Sequence, residues 1–114
     1  MCIRDRAKRV LIARALVHKP SALLFDEPCD SLDISAQHGL RETMRALANS
    51  RIGIILVTHE LSDLVPEIER VVLLSDGRTV ADGRKDEVLQ AETLGRLFGV
   101  KVKLARRGGY YRIL

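Results

Sequence analysis

Apolar residues recur at two spacings along the chain, and the change from one to the other marks its elements. In residues 7–18, Val10, Leu11, Ala13, Leu16 and Val17 stand at helical spacing among Lys8, Arg9 and Arg14. With Pro20 just beyond, an amphipathic helix is predicted there. Residues 21–25 are a short apolar run without alternation, the pattern of a strand buried on both faces as in a parallel sheet. The run stops at Asp26, Glu27 and Pro28. Helical spacing returns over 34–49, with Leu40, Met44 and Leu47 on one stripe and Asp33 or Ser35 as candidate caps. A second buried strand is predicted over 52–57. Strand, helix, strand with short connections is a βαβ unit with a right-handed crossover.

Ligands of open parallel sheets collect at the carboxyl ends of the strands. That rule places Asp26 and Glu27, and separately Thr58, His59 and Glu60, along one edge. Beyond Pro66 the pattern changes. Residues 70–75 and 78–81 flank Asp76-Gly77, a dipeptide that favours a tight hairpin turn, so the sheet turns antiparallel. One or two short helices are predicted over 86–98, ended by Gly99. The alternation in 101–104, then Gly108-Gly109 and 110–114, predict a terminal hairpin.

Composition narrows the class. With 114 residues the chain has the size of one small domain, and 46% hydrophobic with 30% charged residues is a globular balance, not a disordered one. No apolar run approaches the ~20 residues of a membrane-spanning helix. The first residues lead into a charged amphipathic stretch and not into an apolar signal core, so the cytosol is the expected compartment. Cys2 and Cys29 lack metal-site or disulfide-framework spacing and are expected to be reduced. The net charge of +4 permits an anionic partner, although the excess lies at the two chain ends.

The chemistry concentrates at Leu23-Leu24-Phe25-Asp26-Glu27, an apolar strand that delivers two acids at its tip, as a Walker B segment does. In such a segment the first acid supports the Mg²⁺ that bridges nucleotide phosphates. The second faces a water that loses a proton as it attacks the γ-phosphorus. Taken alone, the same residues suit the start of a loop or a helix cap. Their continuation decides between these readings. Residues 26–33, DEPCDSLD, resemble the Walker B and D-loop block of ABC-type ATPases. Val57-Thr58-His59-Glu60, with His59 placed 32 residues after Glu27, resembles that family's H-loop. Residues 9–16, RVLIARAL, resemble the helix that follows its signature motif.

The resemblance covers the chain from Ala7 onward and implies an α/β fold: part of the P-loop NTPase (ABC cassette) fold, with a parallel βαβ core followed by antiparallel hairpins. It makes Glu27 the catalytic carboxylate and His59 the switch histidine that contacts the γ-phosphate. Asp26 becomes the support for Mg²⁺, usually through water, and Asp33 a D-loop residue at the dimer and nucleotide interface. It implies ATP and Mg²⁺ as cofactors, a second cassette and membrane permease subunits as partners, and a place on the inner face of the cell membrane. His18 and His38 match no functional position of the family and are expected to be solvated. Cys29 stands where the family usually has Thr, and Ser31 where it often has Gly or Ala.

Several parts of the family pattern are absent from these residues. None of the eight glycines lies in the phosphate cradle G-x-x-x-x-G-K followed by Ser or Thr, whose backbone amides wrap the β and γ phosphates. Residues 2–6, CIRDR, stand where the signature pentapeptide should end and do not resemble it. Residues 1–6 are therefore expected to be foreign to the family, with 7–114 the C-terminal part of a nucleotide-binding domain. An upstream reading frame that runs into a signature and a P-loop would bear this out. Without the P-loop, negligible ATPase activity is expected of the chain by itself.

The residues after the switch histidine, Glu60-Leu61, match transporter cassettes better than soluble translation-type members, which usually carry Asp-Arg there. Residues 70–83 resemble the hairpin of transporter cassettes. Residues 87–89 and 94–100 resemble the tail of importers for metal chelates such as iron siderophores or cobalamin. The rival class is an ABC-type ATPase acting on nucleic acid through Lys101, Lys103, Arg106, Arg107 and Arg112. A solvated face on an edge strand, where lysines deter unwanted pairing, is the preferred reading of those residues.

Overall fold

The computed structural model describes residues 3–114, with side chains from Ala7 onward. Met1 and Cys2 lie outside the described residues, and with them the start of the stretch 1–6 expected to be foreign and the expected reduced state of Cys2. Contacts divide the chain into two compact units, one ending at Glu67 and one beginning at Ile68.

In the first unit α1 (Ile3–Val17) leads to β1 (Ala22–Asp26), α2 (Ile34–Asn49) and β2 (Gly53–Val57), followed by a single 3₁₀ turn, Leu61–Asp63. The two strands pair in parallel and in register, from Ala22 opposite Gly53 to Asp26 opposite Val57. This is the predicted βαβ unit. The bounds of α2 agree with those read from the sequence, and of the two candidate caps the chain uses Asp33. Its extended backbone lets Oδ1 accept from the Ala36 N–H at 2.8 Å, satisfying one of the helix's orphan donors.

The apolar stripe of α2 is what roots the unit. Met44 is fully buried and Leu40 nearly so. Leu40 joins Cys29 and Leu32 in a cluster on which Ile12 of α1 and Ala36 also pack. The backbone between β1 and α2 is therefore held from both helices, and Lys8 of α1 adds donations to the Pro28 and Asp30 carbonyls.

The strands are not buried on both faces as expected. Leu24 is 67% exposed, Ile55 57% and Val57 49%, so one face of this sheet is covered and the other is bare. The sheet has two strands among the described residues, and Leu24, Ile55 and Val57 lie outside the core cluster built by Leu40, Cys29 and Leu32. Periodicity reports that a strand is apolar all round but not what lies against it. For the same reason Val10, Leu11 and Val17 of α1 are exposed, although their spacing suits a buried stripe.

The second unit is built from hairpins and short helices: β3 (Arg70–Ser75), β4 (Arg78–Arg84), α3 (Lys85–Val88), α4 (Ala91–Phe98), β5 (Leu104–Arg107) and β6 (Tyr110–Ile113). Asp76 and Gly77 both take positive φ, 52° and 73°, the two left-handed positions of a tight hairpin turn whose twist matches its strands. Gly108 and Gly109 repeat the device at 58° and 83°. That two-residue turn requires the strand to run directly into Arg107, which moves β5 to Leu104–Arg107 from the predicted 101–104. Gly99, at φ 72°, ends α4 as predicted. Leu89, Leu94 and Tyr111 are buried, and the Tyr111 ring lies 5.2 Å from the Arg106 guanidinium and 5.9 Å from the Lys85 ammonium. Among the described residues no helix is long and apolar enough to cross a membrane.

Met44 sits where the α2 stripe meets the first unit's core, so truncation leaves a cavity that the surroundings fill only in part. Met44→Ala is expected to destabilise the first unit by about 2–5 kcal/mol, read as a lowered denaturant midpoint.

Candidate functional site

The site begins where β1 and β2 end together. Asp26 is the last paired residue of β1, and the ladder continues for one more bond, the Glu27 N–H donating to the Val57 carbonyl at 2.8 Å. At Glu27 the backbone swings to φ 46°, a left-handed conformation that carries a steric cost for a side chain with a Cβ. Strain of this kind persists where the surroundings dictate it. Here the β1 ladder fixes one side, and the turns closed by Asp30 N–H to Glu27 O (3.2 Å) and Leu32 N–H to Cys29 O (3.3 Å) fix the other. Ser31 is also left-handed, at φ 63°, a region that Gly enters without steric cost.

This swing brings Glu27 to His59. Glu27 Oε1 and His59 Nδ1 are 2.8 Å apart, with the carboxylate half-buried and the imidazole 68% exposed. Two residues separated by a helix and a strand thus meet at the predicted sheet edge. The hydrogen bond to Glu27 and its negative charge raise the His59 pKa above its ordinary value, and Glu60, 3.6 Å from Nε2, adds to the effect. Glu27 Oε2 takes no partner among the described residues. The pair therefore offers a tethered imidazole whose protonated form is stabilised by Glu27, next to a carboxylate with one oxygen free among the described residues.

Asp26 is exposed at the strand tip, and its carboxylate makes no hydrogen bond or ion pair among the described residues. No group of three or more His, Cys, Asp or Glu side chains converges to hold a metal among the described residues. A free carboxylate in that setting fits Mg²⁺ only as one hard oxygen donor, since Mg²⁺ keeps several waters and relies on phosphate oxygens for the rest. Asp33 is exposed and engaged as the α2 cap. The structure thus brings Glu27 and His59 into contact, puts Asp26 beside them in sequence at the same tip, and gives Asp33 a local structural task. His18 and His38 are exposed.

Beside the pair lies a polar recess of about 300 Å³ whose walls include Glu27, Asp30, Gln37, Arg41, His59 and Asp63. Arg41 and Asp63 carry no family motif and were not singled out by sequence reasoning. Arg41 donates to Asp63 at 2.9 Å across 22 residues of sequence, a contact that no periodicity signals. The neighbouring Cys29 is free and buried; burial first, and then the Asp63 charge, push its thiol up to about 11 from 9.0. At neutral pH it is a protonated, unreactive thiol.

No protein-family model matches the chain. Individual proteins do. It is 34% identical over 90 residues to the hemin import ATP-binding protein HmuV of Burkholderia thailandensis, covering 78% of this chain and 33% of that protein. It is 40% identical over 87 residues to the molybdenum import ATP-binding protein ModC of Mycobacterium tuberculosis, covering 75% of this chain and 24% of that one. The chain thus spans between about a quarter and a third of the length of these relatives. Among solved structures, an inward-facing ABC transporter assigned to the metal-chelate type matches with a TM-score of 0.80 at 23% identity, over 96% of this chain and 46% of that one. The dimeric ATP-binding cassette MJ0796, bound to ADP and Pi, matches with a TM-score of 0.60 at 27% identity, over 70% of this chain and 34% of that one.

Because the folded His59 midpoint lies above the ordinary 6.5, the stability from its bond to Glu27 is fully present below that pH and lost as pH rises through the raised midpoint. Glu27→Gln is expected to return the midpoint toward 6.5, measured by NMR titration of the imidazole C–H signals. An unchanged midpoint would show that the pair does not form in solution.

Proposed function

The chain belongs to the ATP-binding proteins of ABC transporters, and on that premise we propose that the shared tip of β1 and β2 is the hydrolytic part of an ATP site that energises transport across a membrane. The observation that carries this reading is the 2.8 Å contact of Glu27 with His59 at the carboxyl edge of a parallel sheet. Glu27 acts as general base: its carboxylate accepts a proton from a water as that water's oxygen bonds to the γ-phosphorus and the bond to the β-phosphate oxygen breaks. ADP and phosphate leave. Protonated His59 keeps Nδ1 on Glu27 and has its Nε2–H to donate to a γ-phosphate oxygen, a charge placed where negative charge is concentrated. Asp26 is the residue that would support Mg²⁺, which when bound neutralises phosphate charge.

The dimeric cassette with ADP and Pi supports a two-cassette assembly, in which Asp33 and the D-loop face the partner cassette and nucleotide. ATP-binding proteins of importers, such as those named for hemin and molybdenum, support permease subunits as partners and the inner face of the membrane as the place of work. The relative named for hemin import supports import of a metal chelate. These 114 residues contain no phosphate cradle, so the chain by itself has the base and the histidine without the means to bind ATP tightly.

The test compares two preparations. In a cassette that joins this chain to a P-loop half, Glu27→Gln is expected to lower the ATP turnover number by roughly 10²–10⁴-fold with ATP binding retained. The 114-residue chain alone is expected to show negligible turnover. Turnover by the chain alone that vanishes in Glu27→Gln would overturn the second expectation. An undiminished rate in the joined cassette would remove Glu27 from the base's role.

A further inference from the structure

Asp63 is a buried carboxylate, 3% exposed, and such a group is costly to bury unless its oxygens are satisfied. Both of them are. Oδ1 accepts from Arg41 Nη2 of α2 at 2.9 Å, and Oδ2 accepts from the Thr58 hydroxyl at 3.1 Å. Thr58 directly precedes His59, and its hydroxyl oxygen also accepts from the Glu60 N–H at 3.0 Å. One hydroxyl therefore closes the three-residue turn with His59 at its centre and ties that turn to Asp63. The Asp63 N–H returns to the Glu60 carbonyl at 3.1 Å, so the turn and the 3₁₀ segment brace each other. The buried Cys29 lines the same recess as Asp63.

From this geometry we propose that Asp63 and Arg41 are positioning residues for His59: through Thr58 they hold the turn that presents the imidazole to Glu27. The proposal rests on the reading of Glu27 and His59 as the hydrolytic pair. Neither Asp63 nor Arg41 touches His59 or the reacting atoms in it; both act through the Thr58 hydroxyl. A second ion pair gives the comparison that separates positioning from general stability. Arg45, one turn further along α2, donates to both oxygens of Glu67 at 2.9 and 3.1 Å. Glu67 holds the same connecting segment but makes no hydrogen bond to the turn at 58–60.

NMR of the whole chain without nucleotide tests this, through the imidazole ¹⁵N shifts and the titration midpoint of His59. The charged groups that face this imidazole are Glu27, Glu60 and Asp30. The unmodified chain is expected to carry the proton on Nδ1, bonded to Glu27, with a midpoint above 6.5. In Thr58→Val and in Asp63→Asn the ¹⁵N shifts are expected to move to a mixture of tautomers and the midpoint toward 6.5. Thr58→Ser, which keeps the hydroxyl, and Glu67→Gln, which loosens the other clamp, are expected to retain the original values. A folded Thr58→Val chain with unmoved His59 shifts overturns the proposal. So does a Glu67→Gln chain that moves them equally, since any loosening would then suffice. If Asp63→Asn does not fold, Thr58→Val decides alone, because it removes only the hydroxyl at nearly constant size; if that also fails to fold, Thr58→Ala decides in its place. The readout needs no turnover, so a joined cassette that fails to hydrolyse ATP would sink the hydrolytic reading and leave this coupling measurable.

Discussion

The in-register parallel pairing of β1 with β2 is the constraint from which the site follows. Because Asp26 lies opposite Val57, the two strands finish at the same level and the residues just beyond them, Glu27 and His59, are within reach of one bond. A slip of one residue would turn every side chain of one strand to the opposite face and carry Glu27 away from His59. The register is held from outside the strands. The crossover through α2 is anchored by Met44 and Leu40, while Cys29 and Leu32 fix the loop leaving β1 in the same core. Packing several residues away thus sets a distance of chemical consequence.

Much of this was legible in the sequence because it depends on local rules. The α2 stripe, its Asp33 cap, the Asp76-Gly77 turn and the Gly99 terminus each follow from residues within a few positions of one another. The meeting of Glu27 and His59 was legible for a different reason. The βαβ rule, together with the family resemblance, puts both at one sheet edge without any knowledge of packing. What the sequence did not disclose depends on neighbours distant along the chain. The bare face of the sheet at Leu24, Ile55 and Val57 is of this kind, because apolar character says nothing about what covers it. The Arg41–Asp63 contact is another, since nothing in a polar connection marks one acid as buried. The shift of β5 to Leu104–Arg107 shows a third cause: a two-residue turn dictates where its strands begin more strictly than alternation does.

The electrostatics divide the site into an exposed working surface and a buried support. Asp26 and His59 lie open to solvent, as the roles proposed for them at phosphate, metal and water require. Asp63 is enclosed and Cys29 is a buried neutral thiol, and both belong to the structure beneath. Charge in water interacts weakly and is screened, whereas the Asp63–Arg41 pair lies in surroundings of lower dielectric and fixes direction more firmly. The backbone strain at Glu27 fits the same division. Its left-handed conformation is tolerated because the β1 ladder and the loop core determine it from both sides, and its effect is to turn a carboxylate from the sheet toward the histidine.

Catalysis requires interactions that are stronger in the transition state than in the ground state, and substrate affinity is a separate requirement. In the proposed function the residues from Asp26 to Asp63 serve the first need, with Glu27 as the base and His59 beside it at a spacing set by the sheet. The second need calls for backbone amides and a lysine around the β and γ phosphates, and no glycine pattern in these 114 residues builds such a cradle. A base without a cradle meets ATP only by collision, and the advantage of a held geometry, worth ~7–11 kcal/mol when reactants are well oriented, is lost. Under the proposed function, the Glu27–His59 pair therefore turns over ATP only where a phosphate-binding loop is presented to the tip of β1 and β2.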